Sequence, residues 1–197
     1  VDPLDFLSRR ELSLSRLTEA APADAATIAA ELRGLMRGSV PNTLELAMDY
    51  LDAGLFEETA AALDLEGGGP KSGNPLTAYA MAWALHKMGH RDDSRKFLAA
   101  AASAPSGLVF PFELEFLDIL PWAMNENPAD ARAPYYLGNL LFDLQPENAI
   151  AAWEKARGLD PSLSCVHRNL GLAYARVKNN LPAAVASLEK AVAANPR

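Results

Sequence analysis

The chain has a single cysteine, Cys165, which excludes an internal disulfide framework. Residues that favour pleated sheets are scarce: isoleucine, valine and threonine together number 15 among 197 positions, against 37 alanines and 30 leucines. Alanine and leucine are strong helix formers, whereas β-branched side chains pack best on a pleated surface, so the imbalance predicts an all-α chain. Long apolar runs are also lacking. The longest, Ala78 to Leu85, is eight residues, far short of the roughly 18 that span a bilayer as a helix. No basic stretch followed by an apolar one and a cleavage site is visible, so the expected location is cytoplasmic. Positive charge is in deficit. A net charge of −7 disfavours nonspecific attraction to nucleic acid or to an anionic membrane. What is present is a chain that is 50% hydrophobic and 22% charged, apolar enough to bury a core and not to stay disordered.

Internal repetition organises that apolar content. Leu137-Gly138, Leu141, Ala149, Trp153, Ala156 and Asp160-Pro161 are matched by Leu170-Gly171, Tyr174, Ala184, Leu188, Ala191 and Asn195-Pro196. The first three matches lie 33 residues apart and the others 35 apart. The two additional residues fall in the turn Lys178-Asn179-Asn180-Leu181, opposite Asp143-Leu144-Gln145, where a solvated backbone tolerates a length change. This pattern resembles the tetratricopeptide repeat, a helix–turn–helix unit of about 34 residues. The resemblance implies that Gly138, Gly171 and the alanines of the second helix let the two helices of a hairpin approach closely. It also implies that Trp153 and Leu188 fill the space between successive hairpins. Pro161 and Pro196 lack an N–H and stop the helices before them.

Weaker copies lie upstream. Residues 40–104 read as two degenerate hairpins joined by a Gly-rich loop, Glu66 to Asn74. In the first, Leu46-Ala47, Tyr50, Gly54, Thr59 and Leu63 match; in the second, Met81-Ala82, Leu85, Gly89, Ser94, Leu98 and Ala101. Residues 112–128 read as a lone second helix in which Pro121 should introduce a kink or a new turn, and Ser103 to Pro111 as a break rich in Pro, Ser and Gly. Residues 1–37 read as a divergent helix pair, and 130–197 as two regular repeats. The fold expected from the resemblance is a right-handed solenoid of antiparallel helical hairpins. Val1-Asp2-Pro3 looks like the end of a second helix, and the chain reads as a segment of a longer protein.

A second resemblance is to a bacterial family in which similar repeats follow a β-sandwich domain that itself looks like sugar-processing folds. It is carried by Pro134-Tyr135-Tyr136-Leu137-Gly138-Asn139-Leu140-Leu141 and by the opening Asp2-Pro3-Leu4-Asp5-Phe6-Leu7. It implies an alternative role, as an accessory region that braces or dimerises a carbohydrate-active enzyme.

Patterns that carry chemistry are weak throughout. His86 and His90 have the i,i+4 spacing of a zinc helix, yet Lys87 stands where the catalytic Glu would be and Gly89 reads as a turn. Gly67-Gly68-Gly69-Pro70-Lys71-Ser72-Gly73 evokes a phosphate loop, but no strand precedes it and Pro70 sits before the lysine, so a flexible linker is the better account. Glu113 and Glu115 point to different faces of a helix, as do Cys165 and His167, so neither pair makes an acid–base or nucleophilic dyad. The expectation is a chain without catalytic, cofactor or metal residues.

What remains is surface. In tetratricopeptide proteins the first helix of each hairpin lines a concave groove. Carried over, those positions are Arg132, Tyr135, Asn139 and Phe142 in the third hairpin and Cys165, Arg168, Leu172, Ala175 and Arg176 in the fourth. In the second hairpin they are Tyr79, Trp83, His86 and Lys87, and in the first Leu44, Met48, Leu51 and Asp52. Aromatics beside arginine have the composition of binding hot spots; simple packing against neighbouring helices is the other account of Tyr79, Trp83 and Phe142. A known subset of these repeats grips a partner's C-terminal carboxylate; Asn139 and Arg168-Asn169 match parts of that clamp, but Tyr135 replaces its key lysine. Residues 40–66 hold seven acids and no base, while 130–197 hold six acids and eight bases, a bias that reads as a solvated face or as steering. The function expected is a non-catalytic interaction or scaffold module. Its partner would be a protein, a peptide or another domain of a parent chain, with weak self-association through the terminal hairpins, where Val185, Leu188 and Val192 should be exposed.

Overall fold

The structure is a computed structural model that describes residues 5–19, 27, 30–31, 33–34, 36–66, 73–107 and 109–195. The described residues form ten long α-helices, a short 3-10 turn at Asp64–Glu66 and no strand. The helices are α1 (Phe6–Glu19), α2 (Val40–Asp52), α3 (Phe56–Leu63), α4 (Pro75–Lys87), α5 (Arg91–Ser103), α6 (Phe116–Glu126), α7 (Arg132–Leu141), α8 (Pro146–Leu159), α9 (Ser164–Arg176) and α10 (Leu181–Ala194).

 Among the described residues the chain is all-α and built largely of helical hairpins. Helix α8 runs to Leu159 and stops before the Asp160-Pro161 turn. No described helix is long and apolar enough to cross a membrane. The Gly-rich run from Gly67 to Ser72, the opening Val1 to Leu4 and Pro196 lie outside the described residues, as does much of the second helix expected before Gly38.

Helix starts follow from side chains that take up orphan N–H groups. Asn74 Oδ1 accepts from Leu76 N at 2.9 Å and Thr77 N at 3.3 Å, with Pro75 at the first helical position, where its missing N–H costs nothing. Ser39 caps α2 and Asn180 caps α10 in the same way, again with a proline just inside. Helices α2 and α4 end at Gly54 (φ 74°) and Gly89 (φ 83°), a left-handed conformation that favours glycine.

The chain divides into two compact units, residues 1–97 and 98–197, with the boundary inside α5. In the first unit α2 packs on α3 and α4, α3 packs on α4, and α1 touches α2. Its core includes Leu46, Ala47, Tyr50, Leu63, Tyr79 and Ala82. The Tyr50 hydroxyl bonds the Glu11 carboxylate, and the Arg10 guanidinium lies 4.7 Å from its ring centre. Burial, with that carboxylate beside it, pushes the Tyr50 phenol up to about 12. Thr59 takes a small-residue position in α3; it is fully buried, and its hydroxyl donates to Leu55 O at 2.8 Å, so no polar group is stranded.

In the second unit α7 and α8 form one hairpin and α9 and α10 another; α8 also packs on α9, and α6 on α7. Pro121 sits inside α6 instead of opening a new turn. The carbonyl deprived of a partner is that of Leu117, a residue 38% exposed, so water can serve it. On α10, Leu181, Val185, Leu188 and Val192 are all exposed.

The repeat glycines sit, as expected, where the two helices of a hairpin approach closely, and each also makes room for one large side chain. A Cβ on Gly138 would lie 2.4 Å from Trp153 Nε1, and one on Gly171 would lie 2.7 Å from Leu188 Cγ. Trp153 and Leu188 therefore fill space inside their own hairpins, each lying on the glycine of the partner helix, and not only between successive hairpins. The reason is steric: only a residue without a Cβ leaves a slot for a large side chain directly on the helix surface.

The two slots should respond differently to one methyl group. The Trp153 indole is rigid and held by two hydrogen bonds, whereas Leu188 can rotate. Gly138→Ala is expected to destabilise the protein by about 1–3 kcal/mol through overpacking. Gly171→Ala should cost less, because its gain in helix propensity of about 1 kcal/mol offsets a softer clash. Urea unfolding of both variants checks the order.

Candidate partner groove

The residues expected to line a groove divide between the two units. In the first unit, Tyr79 is fully buried, so it cannot meet a partner, and the expectation for it is corrected. The cause is the alanine-rich sequence of α4: every residue from Pro75 to Ala82 is buried, which leaves that half of the helix no free face. Trp83 and His86 are half-buried, with ring centres 6.4 Å apart, and Lys87 Nζ stands 4.2 Å from the Trp83 ring centre. Leu44 and Met48 of α2 are buried as well. His90 lies beyond the end of α4, its N–H bonded to Leu85 O at 2.8 Å. Among the described residues no cluster of three His, Cys, Asp or Glu is placed to hold a metal.

In the second unit helical spacing gathers the expected residues on one face. Tyr135, Asn139 and Phe142 follow one another by four and three residues at α7, as do Cys165, Arg168 and Leu172 by three and four along α9. Two cavities open there. The larger, about 480 Å³, is lined by Tyr135, Ser164, Cys165 and Arg168 and by Leu188, Ala191 and Val192 of α10. The smaller, about 190 Å³, is lined by Asn139, Phe142, Asp143, Trp153, Arg168, Asn169 and Leu172. Among the contributors that sequence reasoning missed is Phe110, which lines both cavities from the segment between α5 and α6. Its only signal was a large apolar residue within an otherwise Pro-, Ser- and Gly-rich break.

The floor is a chain of hydrogen bonds. Trp153 Nε1 donates to Asn139 Oδ1 at 3.1 Å and to Tyr135 O at 3.2 Å. Asn169 Nδ2 donates to the same Asn139 Oδ1 at 2.8 Å, and Arg168 Nε and Nη2 donate to Asn169 Oδ1 at 3.2 and 3.1 Å. An indole N–H can only donate, so the Asn139 carboxamide must turn its oxygen toward Trp153; that choice fixes Asn169 in turn. The Phe142 ring packs on Trp153 with centres 5.1 Å apart. Burial, with Cys165 nearby and in spite of Asn139 and Arg168, pushes the Tyr135 hydroxyl up to about 12, so it is a neutral phenol at physiological pH. At 2% exposure Tyr135, like Tyr79, offers a partner almost no surface, and the expectation for it is corrected: it closes the wall of the larger cavity from within the core.

Two expected residues do other work. Arg132 Nε and Nη1 donate to Ala104 O and Ala102 O, each at 2.5 Å, which ties the start of α7 to the end of α5. Its guanidinium is thereby occupied within the chain. Arg176 is exposed at the end of α9 and lines neither cavity. His167, two residues from Cys165, is buried with Nε2 at 2.8 Å from Pro161 O, away from the cavity that Cys165 lines. The thiol and the imidazole therefore do not meet.

No family model and no curated protein matches the chain. Among solved structures, the crystal structure of MamA is 20% identical, covers 93% of this chain and 94% of its own, and has a TM-score of 0.43. MamA 41-end from Desulfovibrio magneticus RS-1 is 21% identical over 100% of this chain and 97% of its own, with a TM-score of 0.43. YrrB, a TPR protein with an unusual peptide-binding site, is 16% identical over 99% of this chain and 89% of its own, with a TM-score of 0.41. Similarity this distant carries nothing about the partner of this chain.

Asn139 is the joint of the floor. Asn139→Ala removes an acceptor shared by two donors, and leaving buried donors unserved costs about 1–3 kcal/mol. The variant is expected to melt lower than the wild type and to lose near-ultraviolet circular dichroism from Trp153. Unchanged melting and spectra would show that the chain of bonds does not hold the floor.

Proposed function

We propose that this chain is a non-catalytic protein-interaction module that takes an extended segment of a protein partner along the α7–α9 face of its second unit. The observation that supports this most directly is the state of the groups around the two cavities. The deep polar groups, Asn139 and the Trp153 N–H, are bonded to one another. Arg168 and Leu172 are exposed at the rim, one charged and one apolar. The face therefore offers a hydrogen-bonded floor, one positive charge at Arg168, one negative charge at Asp143 and apolar surface, with no acid–base pair beside a nucleophile. Such a surface binds by shape and by a few anchoring contacts, and aromatic and arginine side chains commonly supply the anchors. The exposed Asp143 carboxylate shares the smaller cavity with Arg168, whereas Arg168 is the one charged residue lining the larger cavity, so an acidic or carboxylate-bearing partner segment is favoured at the larger one.

The test is selection of binders from a displayed random-peptide library with the intact chain as bait. Selected peptides are expected to lose at least about tenfold in affinity, equivalent to about 1.4 kcal/mol, for Arg168→Glu and for Leu172→Glu. Lys87→Glu, in the first unit, should leave affinity unchanged. Binders indifferent to both groove variants, or an empty selection, would remove this reading.

A further inference from the structure

We infer that Phe110 is a built-in occupant of the α7–α9 groove, an autoinhibitory contact that a partner segment must displace with an aromatic or large apolar side chain of its own. The inference rests on the groove reading above. Phe110 and Arg168 are the two side chains that line both cavities, so they stand where the cavities meet. Arg168 belongs to α9, but Phe110 comes from outside the hairpins, from the non-helical segment that follows α5. Ser106 and Gly107 of the same segment line the larger cavity together with Val192 and Asn195. A short stretch of chain thus lies along the face where an extended ligand would run.

Its attachment is suited to release. The segment is fixed at both ends: the Arg132 guanidinium holds the Ala102 and Ala104 carbonyls, and Pro111 is buried. Between those points, among the described residues, no backbone–backbone hydrogen bond ties Ser106, Gly107, Val109 or Phe110 to the rest of the chain. Phe110 is 46% exposed, whereas Phe112, two residues on, is 76% exposed and lines neither cavity. Contact with the groove is therefore made by the Phe110 ring, and it is partial. Partial contact is enough for an occupant on a short tether, whose effective concentration is on the order of millimolar. The partner's apparent affinity then falls in proportion to the fraction of molecules whose groove is open.

The probe is a fluorescein-labelled synthetic peptide of residues 104–115, titrated into the intact wild-type chain and into Phe110→Ala, Phe110→Gln and Phe112→Ala. A library-selected peptide is run beside it. Removing the occupant should raise affinity for both peptides at least about tenfold, as expected where about nine-tenths of the grooves were closed. Phe112→Ala should behave as the wild type, and a labelled peptide with alanine in place of Phe110 should not bind. Phe110→Gln removes the aromatic ring but keeps more side-chain volume than alanine does, and it takes the place of Phe110→Ala if the latter melts below the wild type. If the selected peptide binds wild type and Phe110 variants equally, the inference is overturned and the groove reading stands. If neither peptide binds any of the proteins, both fall.

Discussion

Much of the second unit depends on the contact between the Trp153 indole and Gly138. The indole lies on the bare backbone of α7, and its N–H reaches Tyr135 O and Asn139 Oδ1. One side chain thereby sets the spacing of a hairpin and holds the floor of the groove above it. The flat ring needs a position without a Cβ, and its N–H needs acceptors once buried; α7 provides both within five residues. The second hairpin repeats the steric half of this arrangement with Leu188 on Gly171. A leucine has no N–H, so the polar half is absent there, and Asn169 is bonded toward Asn139 of the preceding hairpin instead. The hairpins are thus each closed by an apolar contact within them and are joined to one another by the packing of α8 on α9, the Asn169–Asn139 bond and the Lys178–Glu147 ion pair.

This arrangement separates the groups that hold the structure from those that can meet a partner. Asn139 gives its oxygen to two donors within the chain, and Asn169 gives its oxygen to Arg168. Arg132 has a guanidinium turned to two main-chain carbonyls. Any ligand that needed those same atoms would have to break buried or half-buried bonds, and an exchange of that kind gains little. Arg168 and Leu172 carry no such obligation beyond the Arg168–Asn169 contact, which is exposed and so readily exchanged.

The repeat glycines and the prolines that stop helices made the hairpins legible from sequence, because each reports a local requirement of the backbone; the capping asparagines were an equally local signal that went unread. Asn74 before Pro75 and Asn180 before Leu181-Pro182 mark helix starts wherever they occur. Side-chain exposure was less legible. Tyr79 and Tyr135 occupy equivalent groove positions by repeat spacing, yet both are buried, Tyr79 in an alanine-rich helix enclosed along most of its length. Periodicity tells which face a residue is on and not what lies over that face. Arg132 shows the same limit: an arginine at a groove position looks free until carbonyls at the end of another helix, some 30 residues earlier, are brought to it.

The segment after α5 is the clearest case of information held by tertiary structure alone. Its prolines and glycine report only that no helix continues, so its sequence reads as a break. Only the fold brings Phe110 to Arg168 across about 58 positions of chain, a separation no local pattern can encode. The arrangement also has a consequence for partner choice. Changes at Gly138, Trp153 or Asn139 alter the floor and the hairpin together, so they are constrained by stability. Changes at Arg168, Leu172 or Phe110 touch groups that are exposed and only partly engaged. Substitutions at such positions usually alter stability by less than about 0.5 kcal/mol. The identity of the partner can therefore be tuned at the rim and the occupying ring while the hairpin beneath keeps its packing.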